Sequence, residues 1–283
     1  MHALAHGRPI DYLVVGHIAA DLTPAGPALG GTAAYAGLTA SALGLRVGAL
    51  TSVSPDLDLA PLAALDLEIV PSPQSTTFEN RYGPEGRAQF LHARAAGLEP
   101  RHVPPEWRSP RIAHLGPIAG EVDPAMGGLF AGSLLGLTPQ GWMRSWDGAG
   151  RVTPGKWSGN ERLLGAAAAV VLSTEDVGGD EHEIESLAHA CRLLVVTDGP
   201  KGARVFWNRD QRRVPAPAVS EVDPTGSGDV FAAAFFIRLY QTRDPWESAR
   251  YANRLASASV SRRGIAGAPT PQEVEAAGLQ VIP

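Results

Sequence analysis

The run Val222-Asp223-Pro224-Thr225-Gly226-Ser227-Gly228-Asp229-Val230-Phe231 sets a small-residue turn and a carboxylate directly ahead of an apolar stretch. A helix opening at Gly228 or Asp229 would aim free backbone N–H groups, and the positive end of its dipole, into that turn. Such a turn receives an anion, and a phosphate most readily. Gly226 and Gly228 let a ligand come close to the main chain, and Asp229 places a proton acceptor beside it. An anion cradle next to a base is equipment for phosphoryl transfer. The same residues also suit a ligand-free turn before a helix.

A second group is Asp21 with the pair Gly30-Gly31. The glycines can serve tight packing while Asp21 caps a turn. Alternatively, Asp21 accepts hydrogen bonds from a polyhydroxylated substrate that the glycines admit to the backbone.

These groups need elements to hold them. Tyr12 to Val15 reads as a buried strand ending at Gly16, and the Ala-rich run from Gly31 to Leu43 as a helix stopped by Gly44. Further strands are expected at Arg46 to Leu50, Arg111 to Leu115, Leu134 to Leu137, Ala168 to Leu172 and Leu193 to Thr197, with helix-like segments between several of them. That alternation predicts an α/β fold with a mostly parallel sheet covered by helices. Loops that bind ligands gather at the carboxyl edge of such a sheet, where Thr197-Asp198-Gly199 leaves its strand. Thr76 to His92 reads as a hairpin around Gly83-Pro84-Glu85-Gly86, and Ala203 to Val214 as another around Asn208-Arg209-Asp210. Asp180 and Glu183 mark a helix start, so the acidic run 180–185 is expected to face water.

The chain has 283 residues, 44% of them hydrophobic, and no linker-like run divides it, so one domain with a substantial core is expected. A formal charge of −5 argues against nucleic acid or a membrane surface as partner and favours a small molecule. The apolar runs Leu163 to Leu172 and Val230 to Ile237 fall well short of the roughly 20 residues of a membrane helix. No signal-type segment is read at the start of the sequence. The single cysteine, Cys191, leaves no internal disulfide framework, and a cytoplasmic setting with an inert thiol is expected.

Three local patterns lead elsewhere and are set aside. Gly150 to Lys156 spells the start of a P-loop, but Trp157 stands where a Ser or Thr would hold magnesium. His182-Glu183 begins like a zinc-protease helix, yet Ser186 replaces the second His. His114, within a strand, reads as a satisfied core residue. A dinucleotide-dependent oxidoreductase is disfavoured because no Gly-x-Gly-x-x-Gly follows the first strand.

Gly30-Gly31, the stretch Val196-Thr197-Asp198-Gly199-Pro200-Lys201-Gly202, the motif Asp223 to Asp229, Asn253 and Arg263-Gly264 occur in an order that resembles the ribokinase-like (PfkB) carbohydrate kinases over about 250 residues. The resemblance implies a three-layer fold with a mostly parallel central sheet, flanking helices and a small β lid, here formed by about 17–30 and 74–95 within one domain, 1–283. It implies an ATP-dependent kinase with Mg2+ that phosphorylates a hydroxyl of a small sugar, polyol or cyclitol. Asp229 matches the catalytic base, and Gly226, Ser227 and Gly228 the anion hole. Asp21, Gly30 and Gly31 match substrate-contacting positions, and Thr197, Gly199, Gly202, Asn253 and Gly264 nucleotide-lining ones. Asp223 and Thr225 fall where some members hold a monovalent cation such as K+.

Two departures stand out. Tyr35 occupies the position where many members place a substrate-binding Asn, so the contact there is absent or differently made. Ser173-Thr174-Glu175-Asp176 replaces the usual Asn-x-x-Glu, leaving Asp176 as an indirect magnesium carboxylate. The motifs Thr76-Thr77-Phe78-Glu79 and Thr138-Pro139-Gln140-Gly141 resemble the inositol kinase branch. Asn80, Arg81, Gln140 and Arg144 are then candidate selectivity groups or, equally, surface hydrogen bonders. A nucleoside kinase, and a non-catalytic sugar-binding sensor on the same scaffold, are the alternatives. A monomer and a homodimer both fit the sequence.

Overall fold

A computed structural model describes residues 9–278 except 25, 84–85 and 158–160. In chain order the strands are β1 (Tyr12–Val15), β2 (Ala19–Thr23), β3 (Gly26–Gly30), β4 (Val47–Val53), β5 (Asp66–Pro71), β6 (Thr76–Gly83), β7 (Gly86–Ala93), β8 (Ile112–Leu115), β9 (Leu134–Leu137), β10 (Arg144–Trp146), β11 (Val152–Pro154), β12 (Ala169–Ser173), β13 (Leu193–Thr197), β14 (Ala203–Trp207) and β15 (Asp210–Val214). The α-helices are α1 (Thr32–Ala42), α2 (Glu161–Ala166), α3 (Glu181–Ala190), α4 (Ser227–Thr242), α5 (Pro245–Ser259) and α6 (Pro271–Gly278).

Nine strands form one sheet in the order β15-β14-β13-β12-β9-β8-β1-β4-β5. Pairing is parallel from β5 across to β13, and β14 and β15 close that edge as an antiparallel hairpin. The central strands β1, β8 and β9 are buried at every position because both faces are covered. Along β1 the alternation sends Tyr12 and Val14 into the core under α1, α4 and α5, and Leu13 and Val15 into the core under α2 and α3. Helix α4 is buried from Val230 to Ile237 and packs against α1, α5 and the sheet at β8, β9 and β12. The ring of Phe236 lies directly on Gly136 of β9, where any side chain would collide with it.

A second, four-stranded sheet has the order β3-β2-β6-β7. Its strands β2 and β3 follow β1, so the chain leaves the carboxyl edge of the large sheet, builds this hairpin and returns into α1. Ala19, Phe78 and Leu91 of the small sheet pack on Ile118 and Ala119, beyond the end of β8. A buried polar knot fixes the crossing. Glu121 accepts the N–H groups of His17 (2.9 Å), Ile118 (3.0 Å) and Ala119 (2.7 Å), while the His17 ring bridges Thr76 Oγ1 (2.6 Å) and the Ala96 carbonyl (2.9 Å).

Several elements differ from the sequence expectation. Helix α4 begins at Ser227, with Gly226 as its cap, one to two residues earlier than expected. Asp180 does cap α3, accepting the N–H groups of His182 and Glu183. The edge strand β5 and the ribbon β10–β11 were not anticipated; the ribbon extends the small sheet through Leu91 N–H to the Gly150 carbonyl (2.8 Å). The Gly150 segment is thus the turn of a hairpin. Of the turn expected at Gly83-Pro84-Glu85-Gly86, Pro84 and Glu85 lie outside the described residues. His114 is fully buried between Tyr12 Oη and Thr138 Oγ1, both at 2.8 Å, and burial pulls its pKa down to about 3. Burial pushes the Cys191 thiol up to about 12, so it stays protonated. No described helix is long and apolar enough to cross a membrane.

Candidate active site

Gly226 takes the left-handed conformation (φ 78°) that turns the chain into α4. Ser227 N–H is taken by the Pro224 carbonyl (3.2 Å), but the described residues offer no acceptor to the N–H groups of Gly228 and Asp229. These free donors face the same end of the helix from which the Asp229 side chain emerges. Asp229 is enclosed by protein yet part-exposed at the cleft. Burial raises its carboxyl to about 6; a hydrogen bond from Thr32 and the charge of Arg144 act in the opposite direction, and Asp176 adds to the rise.

Thr32 Oγ1 donates to Asp229 Oδ1 at 2.6 Å. Sequence reasoning did not single out Thr32; its adjacency to Gly30-Gly31 is the one signal that pointed there. Tyr35, one turn further along α1, is 2% exposed. Its ring fills the space next to Gly226, and burial together with the charges of Asp21, Asp223 and Asp229 holds its hydroxyl protonated. Asp21, in β2, lies across Gly30, where a β-carbon would meet its carboxylate.

Asp176 Oδ2 accepts Ser173 N–H (2.7 Å), Ser173 Oγ accepts Asp176 N–H (3.2 Å), and Gln140 Nε2 donates to Asp176 Oδ1 (2.8 Å). Ser173 therefore closes a turn that fixes the carboxylate, and Gln140 is engaged with Asp176. Arg144 reaches the Ile118 carbonyl (3.1 Å) and lies over the Phe78 ring (5.6 Å), close enough for its charge to act on Asp229. Around Asp229 the structure thus brings together Asp21, Gly30, Gly31, Tyr35, Gln140, Arg144, Asp176, Asp223 and Gly226. They converge at the carboxyl ends of β1, β9 and β12 and at the start of α4.

Arg81 is elsewhere. Strand pairing places Asn80 on the same face as Asp21 and Phe78, and Arg81 on the opposite face. There Arg81 forms a double hydrogen bond with Glu79 (2.9 and 2.8 Å) over the Phe90 ring. Alternation of the strand is the reason, and this corrects Arg81 as a selectivity group. Asn80 instead accepts a bond from Gln89 (3.1 Å).

On the other side of Asp229, Asp223 accepts the N–H groups of Thr225 (3.0 Å) and Gly264 (2.9 Å). Burial would raise its pKa, but these bonds and the Arg263 charge outweigh that and hold it lowered, hence ionised. Thr197 accepts from Thr174 (2.9 Å) through its carbonyl, and Gly199 (φ 50°) and Gly202 (φ 90°) shape the following loop. Asn253 is 4% exposed, and its amide donates to the Val214 carbonyl (2.9 Å). That donor is thus committed to the protein interior. Among the described residues no three His, Cys, Asp or Glu side chains come together as a metal site.

Residues 163–272 match the pfkB family of carbohydrate kinases, and this segment holds the whole turn and helix around Asp229. This segment of the chain is similar to the pfkB carbohydrate kinases. Segments of it are 40% identical over 92 residues to ribokinase of Bacillus subtilis, covering 32% of this chain and 31% of that protein. They are 34% identical over 137 residues to inositol 3-kinase of Zea mays, covering 44% and 33%. The chain thus spans about a third of the length of these curated relatives. In three dimensions it resembles a pyrophosphate-dependent kinase in the ribokinase family, solved with a pyrophosphate analog and myo-inositol. The TM-score is 0.80 at 18% identity, covering 94% of this chain and 99% of that one. The fold of this chain is the ribokinase fold.

Proposed function

We propose that this chain is a phosphotransferase of the pfkB carbohydrate kinase type that moves a terminal phosphoryl group onto a hydroxyl of a small sugar or cyclitol, within one domain whose small sheet acts as lid. The observation that carries it is the pairing at the start of α4. Free N–H groups of Gly228 and Asp229 lie beside a carboxylate whose pKa of about 6 suits it to take a proton near neutral pH. Asp229 accepts the acceptor's hydroxyl proton as that oxygen attacks phosphorus and the bond to the donor's leaving phosphate breaks, and the free N–H groups of Gly228 and Asp229 stabilise the charge on the moving phosphoryl oxygens. Asp21, Gly30, Gly31, Tyr35 and Asn80 line the acceptor side. Similarity to an inositol 3-kinase supports a cyclitol acceptor.

The donor is expected to be ATP, with Thr197, Gly199, Gly202 and Gly264 on its side of the cleft. A bound magnesium ion would supply positive charge to the donor phosphates. Asp176, both of whose oxygens already accept protein donors, suits an indirect role toward it. Asp223 remains ionised and, with Thr225, suits a monovalent cation such as K+. One observation favours pyrophosphate as a second reading for the donor: the Asn253 amide is spent on the Val214 carbonyl and does not serve a base.

The test is a panel of inositols, ribose, fructose and nucleosides, each offered ATP and then pyrophosphate, followed by phosphorylated product. Asp229→Asn should lower turnover by about 10²-fold or more. Unchanged turnover in that variant would remove the base assignment, and binding without product from either donor would favour a sugar sensor.

A further inference from the structure

Thr32 occupies the first position of α1, where no preceding helical turn supplies a carbonyl for its hydroxyl. Thr39, one turn deeper than Tyr35, shows the contrast: its hydroxyl bonds the Tyr35 carbonyl of its own helix at 2.8 Å. The Thr32 hydroxyl instead crosses 197 positions of sequence to Asp229 Oδ1, at 2.6 Å. What aims it there is Gly116, just past the end of β8. A β-carbon at Gly116 would run into the methyl group of Thr32, and would lie 2.9 Å from Thr138 Oγ1 and 3.2 Å from His114 Nε2. The glycine is there for room, since its φ is not in the left-handed region. A β-branched side chain has few χ1 choices, so seating the methyl on Gly116 also directs the hydroxyl.

We infer that Thr32, seated on Gly116, is a positioning residue for Asp229: it holds Oδ1 and so leaves Oδ2 to meet the acceptor hydroxyl. The inference rests on the phosphotransfer reading of this site. Other titratable groups face Asp229: Arg144 from β10 and Asp176 from the turn after β12 act on its carboxyl, and its own charge acts on Tyr12 of β1 and Tyr35 of α1. Tyr12 and Tyr35 are both held protonated, Arg144 favours the carboxylate, and Asp176 opposes it. Thr32 adds a directional bond that only the ionised carboxylate can fully use.

Thr32→Val keeps the shape and deletes the donor. The acid limb of kcat/KM should then move to higher pH by about one unit, the effect of one hydrogen bond on a carboxylate. kcat at the plateau should fall roughly tenfold, part of what a well-placed base contributes. Thr32→Ser should restore both. Gly116→Ala, which leaves the hydroxyl in place but takes away the seat of its methyl, should move the limb the same way. The carboxyl of Asp229, followed by carbon NMR in the free protein, should titrate higher in Thr32→Val than in the parent. An unmoved limb together with an unmoved titration in Thr32→Val would overturn the inference. Should Asp229→Asn leave turnover intact, the kinase reading fails, while the titration still reports whether Thr32 governs that carboxylate.

Discussion

The ring of Tyr35 lies where any side chain at Gly226 would have to go. One residue thus closes the floor beside the turn into α4, and the other must stay bare for two reasons at once: the left-handed φ of 78° and the aromatic ring beside it. Gly226→Ala should therefore lose about 2–4 kcal/mol, combining the left-handed penalty with overpacking. Urea unfolding measures it. The double variant with Tyr35→Ala should recover part of that loss, since it removes the collision and keeps the backbone strain.

Asp229→Asn should stabilise the protein while inactivating it. Burial lifts the carboxyl from its ordinary 3.8 to about 6, so the folded state favours the protonated form. That favourable contribution is present below the unfolded value and is lost as pH rises through about 6. Asn never ionises, so its advantage should be absent at low pH and full at pH 7 and above, at about 1–2 kcal/mol once the part-exposed tip of Asp229 is allowed for. Thermal melts of both proteins across this range test it, and equal pH dependence would contradict the raised carboxyl.

The Glu121 carboxylate should be a large contributor to stability. Glu121→Ala strands the N–H groups of His17, Ile118 and Ala119. With each buried, unpaired donor costing on the order of 1 kcal/mol or more, a loss of about 3 kcal/mol is expected in denaturant unfolding. Glu121→Gln, which keeps one acceptor oxygen, should lose less.

The two faces of β6 should differ in kinetics. Asn80→Ala, on the face shared with Asp21, should raise KM for the acceptor. Arg81→Ala removes an exposed ion pair on the opposite face and should leave that KM within about twofold of the parent. Steady-state kinetics on the two variants separates them, and the reverse order would place the acceptor on the other face of the sheet.

The chain by itself determined the parallel strands, the first helix and the glycine turn ahead of α4, because each is written in local pattern. Continuous apolar runs mark Leu134–Leu137 and Leu193–Thr197, and Gly-Ser-Gly-Asp ahead of Val230 has the residue types such a turn requires. The edge strand Asp66–Pro71 and the three-residue strands β10 and β11 left too weak a period to read, since an edge is only half-buried and so short a strand has no repeat. Which partner a side chain finds was decided by tertiary structure alone. The register of β2 against β6 turns Arg81 away from Asp21, and a slip of one residue would have reversed that. Thr32 meets Asp229, and Gln140 meets Asp176, because α1, α4 and the strand ends are packed against one another. Hydrogen bonds reach about 3 Å, and no spacing along a chain encodes which distant groups will come that close.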